Sequence, residues 1–163
     1  MNMNGIYARG FAAALLACGM AVPASAEPAP APASAPAGSI IGTGLRVSDL
    51  DRSIRFYTDI LGMRVTTKLP HGTLTEVIMH FAGGGGAGIL LLNDSAPGKS
   101  PPIALGNGYE KMVVNMADLD GVVARMKKAG LSVGEVHQAM GIKVLLVTDP
   151  DGYRYELIQM GKR

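Results

Sequence analysis

Val47-Ser48-Asp49-Leu50-Asp51 returns as Met116-Ala117-Asp118-Leu119-Asp120, and Leu61-Gly62-Met63-Arg64-Val65 returns as Ala129-Gly130-Leu131-Ser132-Val133. An internal repeat constrains the fold more than composition does, because each copy must form the same supersecondary unit and bury its apolar face. Both pairs bracket a segment of helical spacing. In the first copy Leu50, Ile54, Tyr57 and Leu61 form the apolar stripe, Ser48 or Asp49 caps the start and Gly62 ends it. In the second, Leu119, Val122, Val123 and Met126 form the stripe and Gly130 is the stop.

Strand-like runs flank each predicted helix. IIGTGLRV (40–47) precedes the first, and MRVTTKL (63–69), LTEVIMHF (74–81) and AGILLLN (87–93) follow it. YEKMVVNM (109–116) precedes the second, followed by LSVGEV (131–136), IKVLLV (142–147) and YRYELIQ (153–159). The expected fold is α+β: two tandem β-α-β-β-β modules, at 40–93 and 108–160, forming a cupped sheet with helices on its outer face.

Parity along the strands separates two sheet faces. Leu45 and Val47; Val77, Met79 and Phe81; Met112, Val114 and Met116; and Tyr155 and Leu157 form apolar sets suited to packing on helices. The alternate positions mix charge with apolar groups: Gly42, Gly44 and Arg46; Glu76, Ile78 and His80; Lys111, Val113 and Asn115; Arg154, Glu156 and Ile158. A cleft is expected on that mixed face. Glu156 follows the reverse turn of Asp149-Pro150-Asp151-Gly152 and is the one acid of the last strand.

The N-terminal part has a different character. Arg9, the apolar run FAAALLACGMAVP (11–23) and the small residues Ala24-Ser25-Ala26 have the layout of a secretory signal peptide, predicting residues 1–26 as signal, cleavage near Ala26, and a periplasmic or secreted product. Leu15-Leu16-Ala17-Cys18 also fits a lipoprotein signal, which would tie the chain to a membrane through Cys18. Cleavage at Ala26 leaves no cysteine, hence no disulfide and no thiol nucleophile. The tract EPAPAPASAPAGS (27–39) is a stiff spacer, leaving residues 40–163 as one domain.

Charge excludes another class of partner. Fifteen basic against thirteen acidic residues give +2, and removing residues 1–26 takes away Arg9 alone, leaving +1. Without a basic cluster or RNA-type aromatic motif, nucleic-acid binding is not expected. The run GGGG (83–86) lacks the Lys-Ser/Thr of a phosphate loop and precedes a strand, so it reads as a hairpin connection. The segment 95–108, rich in proline and glycine, links the modules as a crossover or lid.

The paired modules, LRVSDLDRSIRFYTDILGMRV (45–65) and DPDGYRYELIQ (149–159) resemble the vicinal oxygen chelate superfamily, over residues 40–160 and in wording closest to its lactoylglutathione lyases. That resemblance implies a divalent metal held by four side chains, one from the first and one from the last strand of each module, polarising vicinal oxygens of a small substrate. Carried onto this chain the four positions are Gly42, Leu90, Lys111 and Glu156, and only Glu156 matches. Glycine and leucine offer no donor and lysine is cationic, so no metal ligand set and no cofactor are expected.

His71, in the predicted turn PHGT (70–73), is expected in solvent; His80 has cleft parity; His137 falls in a connection. Lys111 is expected to stand in place of a metal and pair with Glu156. Two readings follow: a structural ion pair filling a vestigial site, or a cation that grips a carboxylate or enolate with Glu156 as catalytic base. Arg46, His80, Asn115 and Arg154 complete the expected binding surface with Lys111. For the whole protein the readings are a lyase or isomerase on a small oxygen-rich substrate, or a non-catalytic small-molecule-binding protein of the bleomycin-resistance kind. Relatives with two modules often place their clefts between two chains, so a homodimer is expected.

Overall fold

The computed structural model describes residues 38–83, 86–99 and 102–161. The predicted signal peptide with Cys18, the Pro/Ala tract as far as Ala37, and Gly84 and Gly85 of the glycine run lie outside the described residues. The first module runs β1 (Gly42–Arg46), α1 (Leu50–Arg55, continued as a π-helical turn Phe56–Ile60), β2 (Met63–His71), β3 (Leu74–Phe81) and β4 (Gly88–Asp94). The second runs β5 (Met112–Asn115), α2 (Leu119–Lys128), β6 (His137–Ala139), β7 (Ile142–Thr148) and β8 (Arg154–Met160).

Each module makes its own four-stranded sheet, in the orders β1-β4-β3-β2 and β5-β8-β7-β6. The first strand of each lies parallel to the last, and the remaining pairs are antiparallel. The repeat is thus realised as two sheets of one topology.

Local chemistry sets the helix ends. Asp49 accepts from the Arg52 N–H at 2.9 Å and Asp118 from the Gly121 N–H at 2.8 Å, each satisfying a donor of the first turn. Gly62 and Gly130 leave their helices at φ of +76° and +71°, in the left-handed region that disfavours a side chain. The apolar parity set packs inward: Leu45, Val77, Met79, Leu91, Leu145, Tyr155 and Leu157 are buried beneath Tyr57, Leu61, Leu119, Val122 and Met126.

One strand differs from its sequence reading. LSVGEV is irregular, and the second strand of module two is the short β6, which carries His137 on the sheet edge instead of in a connection. The Leu131 N–H returns to the Met126 carbonyl at 3.0 Å, drawing the chain back over the helix end. Val133 and Val136 then turn toward the core three residues apart, which breaks the period of two that a ladder requires. His71 ends β2, exposed, so the turn after it is confined to Gly72 and Thr73.

The modules are joined through the turn at 149–152. The Asp149 carboxylate accepts from the backbone N–H groups of Asp151 and Tyr153 at 2.9 and 2.8 Å, which shapes the turn, and from the Tyr57 hydroxyl at 2.6 Å. Tyr57 also shares a 2.7 Å hydrogen bond with the Tyr155 hydroxyl. Asp151 takes bonds from Ser48, Arg52 and Ser53. A helix of one module is thereby fixed to a turn of the other through the buried Ser53, Tyr57 and Asp149, with Arg52 reaching Asp151 from a more exposed position. Burial pushes the Asp149 carboxyl above its ordinary range, against the three donors that lower it. Burial likewise raises the Tyr57 and Tyr155 hydroxyls far above theirs, so both stay protonated.

Candidate functional site

Glu156 stands between two fully buried neighbours, Tyr155 and Leu157, and points to the opposite face of β8. Its cross-strand partners are Val113 on β5 and Leu146 on β7, both more than half exposed. Lys111, two residues before Val113, reaches back along that face and donates from Nζ to Glu156 Oε2. Their side chains are 39% and 24% exposed, so the pair lies at a partly open surface and not in the interior. The lone acid of the last strand is held by an ammonium on the first strand of the same sheet.

Module one repeats the geometry with different chemistry. Leu90 is in register with Gly44, and Gly42 lies two residues before it, just as Lys111 precedes the partner of Glu156. The Leu90 side chain leans over Gly42 as Lys111 meets Glu156: a Cβ on Gly42 would stand 2.4 Å from Leu90 Cδ1 and 2.6 Å from the Gly88 carbonyl oxygen. Hydrocarbon occupies the space a side chain at 42 would need. Because the nearest backbone atom is a carbonyl, rotating Leu90 alone does not relieve the clash. Gly42→Ala is expected to destabilise the domain by about 1–3 kcal/mol, the usual cost of overpacking, read as a lowered melting temperature; an unchanged melting temperature would show that β1 and β4 move apart freely.

The four positions therefore do not fit a divalent ion. Together they supply one carboxylate, already bonded to an ammonium, and no nitrogen or sulfur donor. Among the described residues no group of three or more His, Cys, Asp or Glu side chains could hold a metal.

The other expected site residues divide between the sheets. Asn115 and Arg154 share the second sheet with the pair: Asn115 is in register with Ile158, and Arg154 binds Glu110 through Nη2 to its carboxylate at 2.8 Å and Nε to its carbonyl at 3.1 Å. Arg154 is thereby turned to the sheet edge. Arg46 and His80 lie on the first sheet. Across its open face run two rows in register: Gly44, Leu90, Ile78 and Thr67; Arg46, Leu92, Glu76 and Leu69; beyond them Gly42 pairs with Gly88 and His80 with Arg64, and the His80 ring lies against Gly88. Arg46 and His80 thus stand at opposite ends. A cavity of about 390 Å³ between the modules is lined by Phe81, Asn115, Asp118 and Arg125 among others; Asn115 reaches it, whereas Lys111 and Glu156 do not.

Sequence reasoning did not single out Thr66. Beta strand β2 carries a register shift between Val65 and Thr67, and the extra residue turns the Thr66 hydroxyl onto Ile78 O at 3.1 Å and His80 Nδ1 at 3.0 Å. No residue in MRVTTKL announces such a bulge, since Thr66 and Thr67 serve equally well in a strand.

With this geometry in place, residues 39–157 match the family model of the Glyoxalase/Bleomycin resistance protein/Dioxygenase superfamily. The chain belongs to that superfamily. It is 34% identical over 129 residues to a probable lactoylglutathione lyase of Synechocystis sp., covering 76% of this chain and 97% of that one. It is 31% identical over 127 residues to a lactoylglutathione lyase of Haemophilus influenzae, covering 74% and 91%. Among solved structures, Leishmania major glyoxalase I superposes with a TM-score of 0.63 at 27% identity, covering 75% of this chain and 86% of that one. An antibiotic-binding protein of Streptomyces sp. superposes with a TM-score of 0.61 at 20% identity over 78% of this chain and the whole of that one, a likeness of fold alone.

Proposed function

We propose that this chain is an exported glyoxalase-like lyase or isomerase acting on a small oxygen-rich substrate, with an ammonium, Lys111, where its relatives seat a metal. The Lys111–Glu156 pair carries this reading, because it sits at the first- and last-strand positions of the module whose acid is retained. Glu156 Oε1 or Oε2 takes the proton from the carbon beside a substrate carbonyl, and the ammonium donates to the oxygen on which negative charge develops. The same carboxyl then returns its proton to the neighbouring carbon, while the hydroxyl proton of the first carbon passes by way of the Lys111 ammonium to the oxygen of the second, so the substrate is isomerised without an outside oxidant or reductant. The names of the lactoylglutathione lyase relatives support a hemithioacetal as the first substrate to try.

Turnover of the methylglyoxal–glutathione hemithioacetal is expected to survive EDTA, and elemental analysis of the purified protein to find metal well below one equivalent. Stoichiometric zinc or nickel, with activity lost on chelation, would overturn the proposal. A second reading is a non-catalytic binder, favoured by Leu90 over Gly42, which makes half of the centre hydrocarbon. Ligand-induced stabilisation without turnover would select it.

Two further parts of the proposal concern assembly and location. Leu69, Val113 and Leu146 leave apolar surface on the open sheet faces, at 38%, 54% and 57% exposure, and a second copy would cover it. Light scattering on the mature protein is expected to give twice the chain mass; a monomer at micromolar concentration would refute this. Export by ordinary cleavage predicts a mature N-terminus at Glu27, whereas an acylated Cys18 by mass spectrometry would establish the lipoprotein form.

A further inference from the structure

We infer that the cavity between the modules binds a free α-amino acid with an apolar side chain, its carboxylate on Arg125 and its ammonium on Asp118. Neither Lys111 nor Glu156 lines this cavity, so the inference stands apart from the reading of that pair.

The repeat itself marks the place. Aligning Asp49 with Asp118 sets Phe56 of the first module against Arg125 of the second, and Arg52 against Gly121. Phe56 is buried in the core, whereas Arg125 is half-buried and its Nε donates to the Ile60 carbonyl at 2.9 Å. That bond ties the guanidinium to the end of the first module's helix. It leaves both terminal nitrogens with no hydrogen bond and no ion pair among the described residues.

Gly121 is the second departure from the repeat. Glycine within a helix costs about 0.5–1 kcal/mol relative to alanine. Capping does not require it, since Asp49 caps the first helix with Arg52 at the same position. What the glycine admits is the Asp118 carboxylate: a Cβ at 121 would stand 2.1 Å from Asp118 Oδ2 and 3.1 Å from Arg125 Nη1. Oδ1 accepts from the Gly121 N–H at 2.8 Å, and Oδ2 has no hydrogen-bond partner among the described residues. The acid and the guanidinium thus approach one point beside α2 without pairing with each other.

Charge and shape select the ligand. Asp118 and Arg125 both line the cavity of about 390 Å³, with Asn115 beside them and Leu61, Phe81 and Met116 supplying hydrocarbon. A simple carboxylate would meet Asp118, and a simple amine would meet Arg125. A neutral ligand would strip water from two charges and pair neither. An α-amino acid carries an anion and a cation on one carbon, which suits two opposite charges side by side, and its side chain falls to the apolar wall. The volume lies at the small end of ligand sites, which run about 300–1,000 Å³. Beyond Arg125, Asp59 and Lys128 face a neighbouring cavity as one acid and one base, adding no net charge.

The test titrates the whole purified protein with L-leucine, 4-methylpentanoate and 3-methylbutylamine, which share the branched chain while each analogue lacks one charge. L-Leucine should bind at least about tenfold more tightly than either analogue, the discrimination expected of one charge-assisted hydrogen bond. Backbone amide NMR shifts on titration should centre on Asp118 and Gly121. Asp118→Asn keeps an acceptor for the Gly121 N–H, so the helix cap survives. That variant should lose about tenfold in leucine affinity, and with it the preference over 4-methylpentanoate. Arg125→Lys keeps the charge but not the planar fork, and should weaken leucine to a similar degree. Equal affinity for leucine and either analogue, leucine affinity unchanged in Asp118→Asn, amide shifts confined to the open sheet faces, or no binding of leucine at millimolar concentration would overturn the inference.

Discussion

Glu156→Gln should lower hemithioacetal turnover by about 10²–10⁴-fold while the protein stays folded, because an amide of the same shape cannot take a proton. The control is built into the site. Both members of the Lys111–Glu156 pair are partly open to solvent, and pairs of that kind contribute about 0–1 kcal/mol to stability. A melting temperature within a few degrees of wild type is therefore expected beside the loss of rate. Lys111→Met should also lose rate, through the unstabilised oxyanion. Under the binding-protein reading neither variant has turnover to lose, and both instead weaken ligand-induced stabilisation. Wild-type turnover that persists undiminished in Glu156→Gln removes this residue as the base.

Much of this architecture was legible because the repeat and strand parity report on burial, which is a one-dimensional property of the chain. Val77 and Met79 point in and Ile78 and His80 point out in the structure as their alternation predicts. Lys111 and Glu156 could be paired from sequence because the family resemblance puts them at the first- and last-strand positions of one module; those strands are parallel neighbours, with Val113, two residues after Lys111, in register with Glu156. Features set by backbone irregularity were not legible. LSVGEV has strand composition, yet the helix exit at Gly130 folds Leu131 back and spends Val133 and Val136 on the core. The bulge at Thr66 inserts one residue into an edge strand without any change in residue type. Arg46 and Arg154 were placed by parity on the right faces, but parity says nothing about distance along a strand or about Glu110, which holds Arg154 at the edge.

Tyr57→Phe is expected to destabilise the domain by about 1–3 kcal/mol, since it deprives a buried carboxylate and a buried phenol of one partner each. For a domain of this size that lowers the melting temperature by roughly 5–10 °C. Tyr57→Ala, which also removes a ring in edge contact with Phe56 and Tyr155, should cost about 3–5 kcal/mol. The pH dependence separates this junction from ordinary packing. Asp149 has a folded pKa raised by burial, with Asp151 nearby adding to the rise. The folded state therefore holds the Asp149 proton to higher pH than the unfolded chain does. Its contribution to stability is complete below the ordinary carboxylate range and declines as pH climbs through the raised folded value. Asp149→Asn should abolish that decline, because the amide has no proton to lose. Tyr57→Phe should instead move it to higher pH, because the hydroxyl donor that opposes the effect of burial is gone. Melting temperatures of the three proteins across the acidic to neutral range decide the matter. If the wild-type and Asp149→Asn curves run parallel, Asp149 is not the group that links protonation to the joining of the two modules.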